Sequence, residues 1–211
     1  MTSTTPIMSI IGMPGSGKST LSRAIAEFHG WERLSTGDII RSEIARGTAL
    51  GRRLREQIHA GELADTADIR AIVEIGLSST SRAVVFDGFP RYAEEARFIH
   101  DIADDHGRFV AGAVYLVTSP EVALRRIAGR LGSETIVRPE DRPEVARRRI
   151  EIFQENIEPI ADVFARTSTL TVVANQSPEE ILRQGFLALG MSALEPWLVD
   201  AEGFEMAGMR P

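Results

Sequence analysis

The segment Ile7-Met-Ser-Ile-Ile-Gly-Met-Pro-Gly-Ser-Gly-Lys18-Ser-Thr20 constrains this chain more than any other. Its first five residues form a short apolar, β-branched run, which predicts a strand buried on both faces of a parallel sheet. Gly12 to Ser19 then match the pattern G-x-x-x-x-G-K-[ST] in full. After Lys18, Leu21, Ile25 and Phe28 fall at helical spacing and Gly30 supplies a stop. Strand, glycine loop and helix N-terminus in this order bring backbone N–H groups and the positive end of a helix dipole to one point, which favours phosphate. Lys18 is also the only lysine; every other basic residue, of 24 in all, is arginine. The skew as a whole reflects base composition. The surviving lysine marks a place where a compact ammonium on a flexible stem serves better than a planar fork.

Strand-like runs recur at Ala83 to Phe86, Ala113 to Val117 and Leu170 to Val173. Helical patterns separate them: Ile39 to Arg46, Gly51 to Ala60, Thr66 to Ser79, Ala93 to Asp104, Glu121 to Ala128, Pro143 to Phe164 and Pro178 to Leu189. Alternating strands and helices predict an α/β fold with a parallel sheet covered on both faces. Two segments look inserted into that scheme. Thr36 to Ser79 reads as helical throughout. Arg130 to Arg142, with Gly132, Pro139 and several charges, lacks apolar periodicity and reads as a lid loop.

Composition removes several alternatives. With 211 residues and 43% hydrophobic content, the chain suits one α/β domain with small insertions. A net charge of −6 argues against a dedicated nucleic-acid surface. The absence of cysteine excludes disulfides, thiolate catalysis and Cys-ligated zinc. His29, His59, His100 and His106 have no metal-ligand spacing and read as surface residues. No apolar run reaches membrane-spanning length, and Met1 to Pro6 lacks the features of a signal peptide, so a cytoplasmic monomer acting without a membrane is expected.

Further landmarks come after the glycine loop in order: Ser35-Thr-Gly-Asp-Ile-Ile-Arg41, Gly51 through Gly61-Glu-Leu63, Phe86-Asp-Gly-Phe-Pro-Arg91, Arg126-Ile-Ala-Gly-Arg130, and Arg138-Pro-Glu-Asp141 with Glu144 and Arg149. In this the sequence resembles the adenylate kinase family of nucleoside monophosphate kinases over roughly Met8 to Leu189. The resemblance implies a three-layer P-loop sheet flanked by helices, with a helical acceptor-binding insertion at about 36–79, a short lid at about 130–142 and a core domain spanning 1–190. It implies reversible transfer of a phosphoryl group from ATP·Mg²⁺ to a nucleoside monophosphate, AMP being the family's usual acceptor. That chemistry needs charge stabilisation, alignment and exclusion of water more than covalent help, so the lack of a Ser/His/Asp set is consistent with it.

Roles carry over by motif position. Gly12, Pro14, Gly15, Ser16, Gly17, Lys18, Ser19 and Thr20 would wrap the donor phosphates. Ser19, Asp87 and Asp38 would face Mg²⁺, partly through water. Arg126 would stack on the donor base and Arg130 reach the transferring group. Thr36, Gly37, Ile40, Arg41, Ile58, Leu63, Ala64, Gly88 and Arg91 would hold the acceptor, with Arg138 and Arg149 closing on it. Lys18, Arg91, Arg130, Arg138 and Arg149 form the catalytic set. Asp141 and Glu144 read as partners of the lid arginines, Phe89 and Phe153 as packing residues, and Arg52, Arg53, Arg55, Arg147 and Arg148 as solvated helix faces. The lid is of the short type, for which no structural zinc is expected.

The sequence departs from the family at Glu95, four residues after Arg91, where a glutamine usually reads the base of AMP. A glutamine amide both donates and accepts, whereas an ionised carboxylate only accepts. Facing adenine, Glu95 could accept from N6; facing guanine, from N1–H and N2–H₂; facing cytosine, from the 4-amino group. Another NMP kinase specificity (GMP, CMP/UMP or dTMP) and a non-catalytic nucleotide-binding module are the alternatives. A GTPase is excluded, because its Asn-Lys-x-Asp motif needs a second lysine. Residues 191–211 lie beyond the resemblance; Trp197, Phe204 and three methionines there suit either a tail folded on the core or a self-association surface.

Overall fold

The computed structural model describes residues 5–59, 64–133, 142–174 and Leu182, with only the backbone described at 59, 130–133 and 174. Among these residues five parallel strands form one sheet in the order β2-β3-β1-β4-β5: β1 (Thr5–Gly12), β2 (Glu32–Ser35), β3 (Val84–Asp87), β4 (Arg108–Val117) and β5 (Thr169–Ala174). Among the described residues seven helices connect them: α1 (Lys18–His29), α2 (Thr36–Arg46), α3 (Ala49–His59), α4 (Thr66–Ser78), α5 (Ala93–Asp105), α6 (Pro120–Ser133) and α7 (Pro143–Thr167).

The period-2 alternation of a strand explains the near-continuous apolar runs. Ile7, Val84 and Phe86 face one side, where they pack with Leu34, Ile40, Ile72 and Leu77 and with Phe98 and Ile99 of α5. Met8, Ile10, Val85, Val114 and Leu116 face the other, against Leu21, Ala24 and Ile25 of α1. Ile11 and Ala113 join Ala96 of α5 with Ile160 and Phe164 of α7. The expected α/β sheet with helices on both faces is present.

Three local readings are corrected. β2 is absent from the sequence-based strands, because Leu34 is its only buried residue and a four-residue edge strand leaves little periodicity to see. α2 begins at Thr36 rather than Ile39: Ser35 is its N-cap, with its hydroxyl accepting from Asp38 N–H at 3.3 Å. α6 continues to Ser133, so the first four residues assigned to the lid are helical. Ile127 and Leu131 keep helical spacing across Gly129, and this outweighs the low propensity of the glycines. Residues 134–141 of the expected lid, the expected helix over Pro178 to Leu189 (Leu182 apart) and the extension 191–211 lie outside the described residues.

The segment Thr36 to Ser79 contains α2, α3 and α4, with short non-helical joints at residues 47–48 and 64–65. Gly51 lets α2 and α3 meet: a Cβ there would overlap the carbonyl of Glu43. The junction is knit by buried Glu43, which accepts from Thr48 Oγ1 and from Arg46, both at 2.6 Å, while Thr48 Oγ1 accepts from Gly51 N–H at 2.9 Å.

Candidate active site

The glycine loop joins the C-terminal end of β1, at the centre of the sheet, to the N-terminus of α1. Gly15 (φ +82°) is required twice over, by its left-handed backbone and by the carbonyl of Ala123 on α6, which a Cβ would approach to 2.5 Å. Gly17, also left-handed, is the N-cap of α1, and Thr20 and Leu21 N–H both donate to its carbonyl at 3.1 Å. The first-turn N–H groups of a helix have no acceptor inside it, so this end of α1 suits anions. Lys18 Nζ donates to the Met13 carbonyl at 2.8 Å, which folds the ammonium back across the loop.

A cleft opens over this loop. It is lined by Gly12, Pro14 and Lys18 from the loop region, Gly88, Pro90 and Arg91 from the segment after β3, and Arg149, Ile152 and Phe153 from α7, with Ile11 at its base. Three cations far apart in sequence thus share one concave surface. The sheet order explains the convergence: β1 and β3 are hydrogen-bonded neighbours with Ile10 opposite Asp87, so the segments leaving the two strands emerge at the same edge. Gly88 N–H donates to the Ile10 carbonyl at 3.2 Å, and Arg91 Nε donates to the Gly88 carbonyl at 3.1 Å, which orients the guanidinium.

The other expected residues are spread over several elements. Arg126 of α6 donates to the Gly15 carbonyl at 3.4 Å, which sets it against the loop. Ser19 is exposed in the first turn of α1. Thr36 and Ile40 are buried, Ala64 is half-buried and Ile58 is 44% exposed. Arg41 is not among the cleft-lining residues; it donates to Asp38 at 2.5 Å on α2, beside Gly37. Arg130 lies on α6 without a described side chain, and Leu63 and Arg138 lie outside the described residues. Phe89 is a core residue packed between Phe86 and Phe98. Phe153 both packs on Tyr115 and lines the cleft, a contact that its apolar character alone does not reveal. Arg53 is exposed on its helix face, as expected, and also forks onto buried Asp68, its Nη2 donating at 2.6 Å.

Glu95 is buried. It is 1% exposed, and its Oε2 accepts from Arg91 N–H at 2.6 Å, with Tyr92 N–H contributing, at the start of α5. A helix N-terminus favours a carboxylate, and Glu95 thereby pins the backbone of Arg91. Burial nevertheless pushes its carboxyl above the usual carboxylate range, against those N–H groups and the charge of Arg91, with Glu94 adding to the rise. A folded group that holds its proton to higher pH stabilises the fold below the unfolded pKa, about 4.3, and loses that stabilisation as pH rises through the folded value. Glu95→Gln keeps an acceptor and does not titrate. Its Tm relative to wild type is therefore expected to rise as pH increases above about 4 and to level off once the folded carboxyl has ionised, by about 2–4 °C for each kcal/mol relieved. A Tm difference that stays flat across that range would show that burial does not perturb Glu95.

Asp87 ends β3 with its side chain 6% exposed, and Asp38 sits in the first turn of α2. Burial pushes the Asp38 carboxyl up, but bonds and charge from Arg41, together with Ser35 and Arg33, bring it below its ordinary value. Carboxylate oxygens suit Mg²⁺, which is commonly held by one or two carboxylates with substrate phosphates completing the shell. Among the described residues no group of three or more His, Cys, Asp or Glu could hold a metal ion. Asp87 and Asp38, both within reach of Arg33, offer two such carboxylates, a donor set that fits a cation whose remaining ligands would come from a nucleotide. Arg33, which no motif marks, bridges these two carboxylates.

A parallel sheet covered on both faces, with a glycine loop at its central strand and a cleft lined by Lys18, Arg91 and Arg149, defines a phosphate-loop protein built to hold phosphorylated ligands. The family model described as adenylate kinase matches residues 10–169. The adenylate kinase of Thermus thermophilus is 34% identical over 182 residues, spanning 86% of this chain and 95% of its own length. Those of Pyrococcus furiosus and Deinococcus radiodurans are each 32% identical, spanning 74% and 83% of this chain and 83% and 92% of their own lengths. The chain belongs to the adenylate kinase family.

Proposed function

We propose that this protein catalyses reversible transfer of the γ-phosphoryl group of ATP to a nucleoside monophosphate, AMP in the first place, giving ADP and a nucleoside diphosphate. The convergence of Lys18, Arg91 and Arg149 on the cleft above the glycine loop carries this reading. A phosphate oxygen of the acceptor attacks the γ-phosphorus as the bond to the β,γ-bridging oxygen breaks, so no protein base is needed. Charge spreads over the transferring oxygens and both flanking phosphates, and fixed cations there lower the barrier. Lys18 exchanges the neutral Met13 carbonyl for a donor phosphate oxygen. Arg91, already oriented by Gly88, grips the acceptor phosphate with its fork. Arg149 reaches the same space from α7, and Arg130 and Arg138 act from the lid. Asp87, Asp38 and Ser19 would face Mg²⁺, partly through water, and the ion would neutralise donor phosphate charge when bound. The insertion 36–79 holds the acceptor, and the enzyme would draw its nucleotide substrates from the cytoplasm.

AMP as acceptor is supported by the adenylate kinase relatives, and Glu95 bears on it because its carboxylate is engaged with the backbone of Arg91 and Tyr92. Initial rates of diphosphate formation with AMP, dAMP, GMP, CMP, UMP and dTMP test the proposal. AMP is expected to be the fastest acceptor. A preference for GMP or CMP by about tenfold or more, the size of one lost base hydrogen bond, would overturn the acceptor and leave the reaction class. Absence of diphosphate with every acceptor would overturn the enzyme.

A further inference from the structure

Arg33 enters the site from β2, the edge strand. Its Nε donates to Ser22 Oγ at 3.1 Å, its Nη2 donates to Asp87 Oδ2, and its Nη1 lies 3.6 Å from Asp38 Oδ2. Ser22 is fully buried on α1 and itself donates to the Ser19 carbonyl at 3.3 Å, so the guanidinium is tied to the first turn after Lys18. Arg33 is 24% exposed, Asp87 6% and Asp38 57%. One anchored cation therefore stands between a buried carboxylate and an exposed one.

A buried carboxylate needs a partner, and a planar fork meets two carboxylates at once where an ammonium would meet one. The consequence concerns the divalent ion. Two bare carboxylates would attract a dication unaided, whereas a guanidinium already on both of them repels it across a few ångströms of intermediate dielectric. Arg33 engages Oδ2 of Asp87, and a carboxylate has about four lone-pair sites, so capacity remains for water on an incoming cation. A triphosphate supplies enough further negative charge to hold both cations together.

We propose that Arg33 is a resident counter-ion and positioning residue: it fixes Asp87 and Asp38 in place and keeps divalent ions weakly bound until nucleotide phosphates arrive with them. This rests on the reading of Asp87 and Asp38 as the carboxylates that face Mg²⁺.

The probe is Mn²⁺, titrated into the full-length, nucleotide-free protein and followed by the paramagnetic resonance of the free ion. Arg33→Gln is expected to bind Mn²⁺ about tenfold more tightly than wild type. Arg33→Lys keeps the charge without the fork and is expected to tighten binding about threefold. A thermal melt of each variant reports folding, and if Arg33→Gln does not fold, Arg33→Lys decides. Binding of an imido-bridged ATP analogue with and without Mg²⁺, in wild type and Asp87→Asn, separates the two layers of the inference. If Asp87→Asn abolishes the Mg²⁺ enhancement while the Arg33 variants bind Mn²⁺ as wild type does, Arg33 is scaffold only and the proposal is overturned. If Asp87→Asn leaves the enhancement intact, the metal reading fails and the Arg33 proposal falls with it.

Discussion

Lys18→Met is expected to lower kcat for diphosphate formation by about 10³-fold, the scale seen when one preorganised transition-state donor is removed. Methionine keeps the length and much of the stem, so the change removes charge rather than volume. Loss of ATP affinity should be smaller, about 10- to 100-fold, because backbone N–H groups of the loop and the α1 terminus still hold the phosphates. Stability should fall by only about 1 kcal/mol, since the bond from Lys18 to the Met13 carbonyl has a neutral acceptor at a partly exposed site. Lys18→Arg is expected to fail as well. Gly88 lies beside the stem, where a Cβ would come into ordinary contact with Lys18 Cε at 3.6 Å, and a planar fork is broader than the ammonium the loop holds. Single-turnover rates with saturating ATP and AMP would check the prediction. A Lys18→Met enzyme within tenfold of wild type would remove the lysine from the transition state. Lys18 is also the only amine-bearing side chain, so inactivation by an amine-reactive nucleotide analogue that leaves it unmodified would contradict the assignment.

The sheet is legible in the sequence where strands are buried on both faces. Ile7 to Ile11 and Val84 to Phe86 are apolar because α1 covers one side and α2 to α5 cover the other. β2 is concealed, because an edge strand with one inward residue looks like loop. Lys18, Arg91 and Arg149 are legible as a group that shares one cleft, because rigid motifs fix where they lie on the fold. Motif position assigns Arg41 to the same work, yet it is paired with Asp38 on α2, since motif position gives no rotamer. Arg33 and the capping role of Glu95 are hidden for a common reason. Each depends on a neighbour brought close by folding: Asp87, 54 residues from Arg33, and the turn after β3 that points the backbone of Arg91 at α5. Spacing along the chain reports faces of helices and strands. It does not report which buried charge meets which.

Arg91→Lys is expected to reduce kcat/KM for the acceptor by about 10²- to 10³-fold, or roughly 3–4 kcal/mol of transition-state stabilisation, although the charge is kept. The residue is pinned at two points: its backbone N–H donates to Glu95 at 2.6 Å and its Nε to the Gly88 carbonyl at 3.1 Å. This arrangement fixes the direction of the fork before any ligand binds, so little rotamer entropy remains to be lost on binding. A lysine can be held by Glu95 at the backbone in the same way, but it has no Nε to meet Gly88 and no second donor in plane. Affinity for a non-transferable ATP analogue should stay within about twofold of wild type, because on the proposed reading the donor phosphates would lie on the loop side of the cleft. A loss shared equally between donor and acceptor would instead mean that Arg91 acts on the transferring group alone. The double variant with Arg149→Lys discriminates further. Both arginines line one cleft from different elements, so if they grip the same phosphoryl oxygens their combined loss should fall well short of the product of the single losses. If the effects multiply, the two arginines serve different phosphates, and the acceptor clamp is Arg91 by itself.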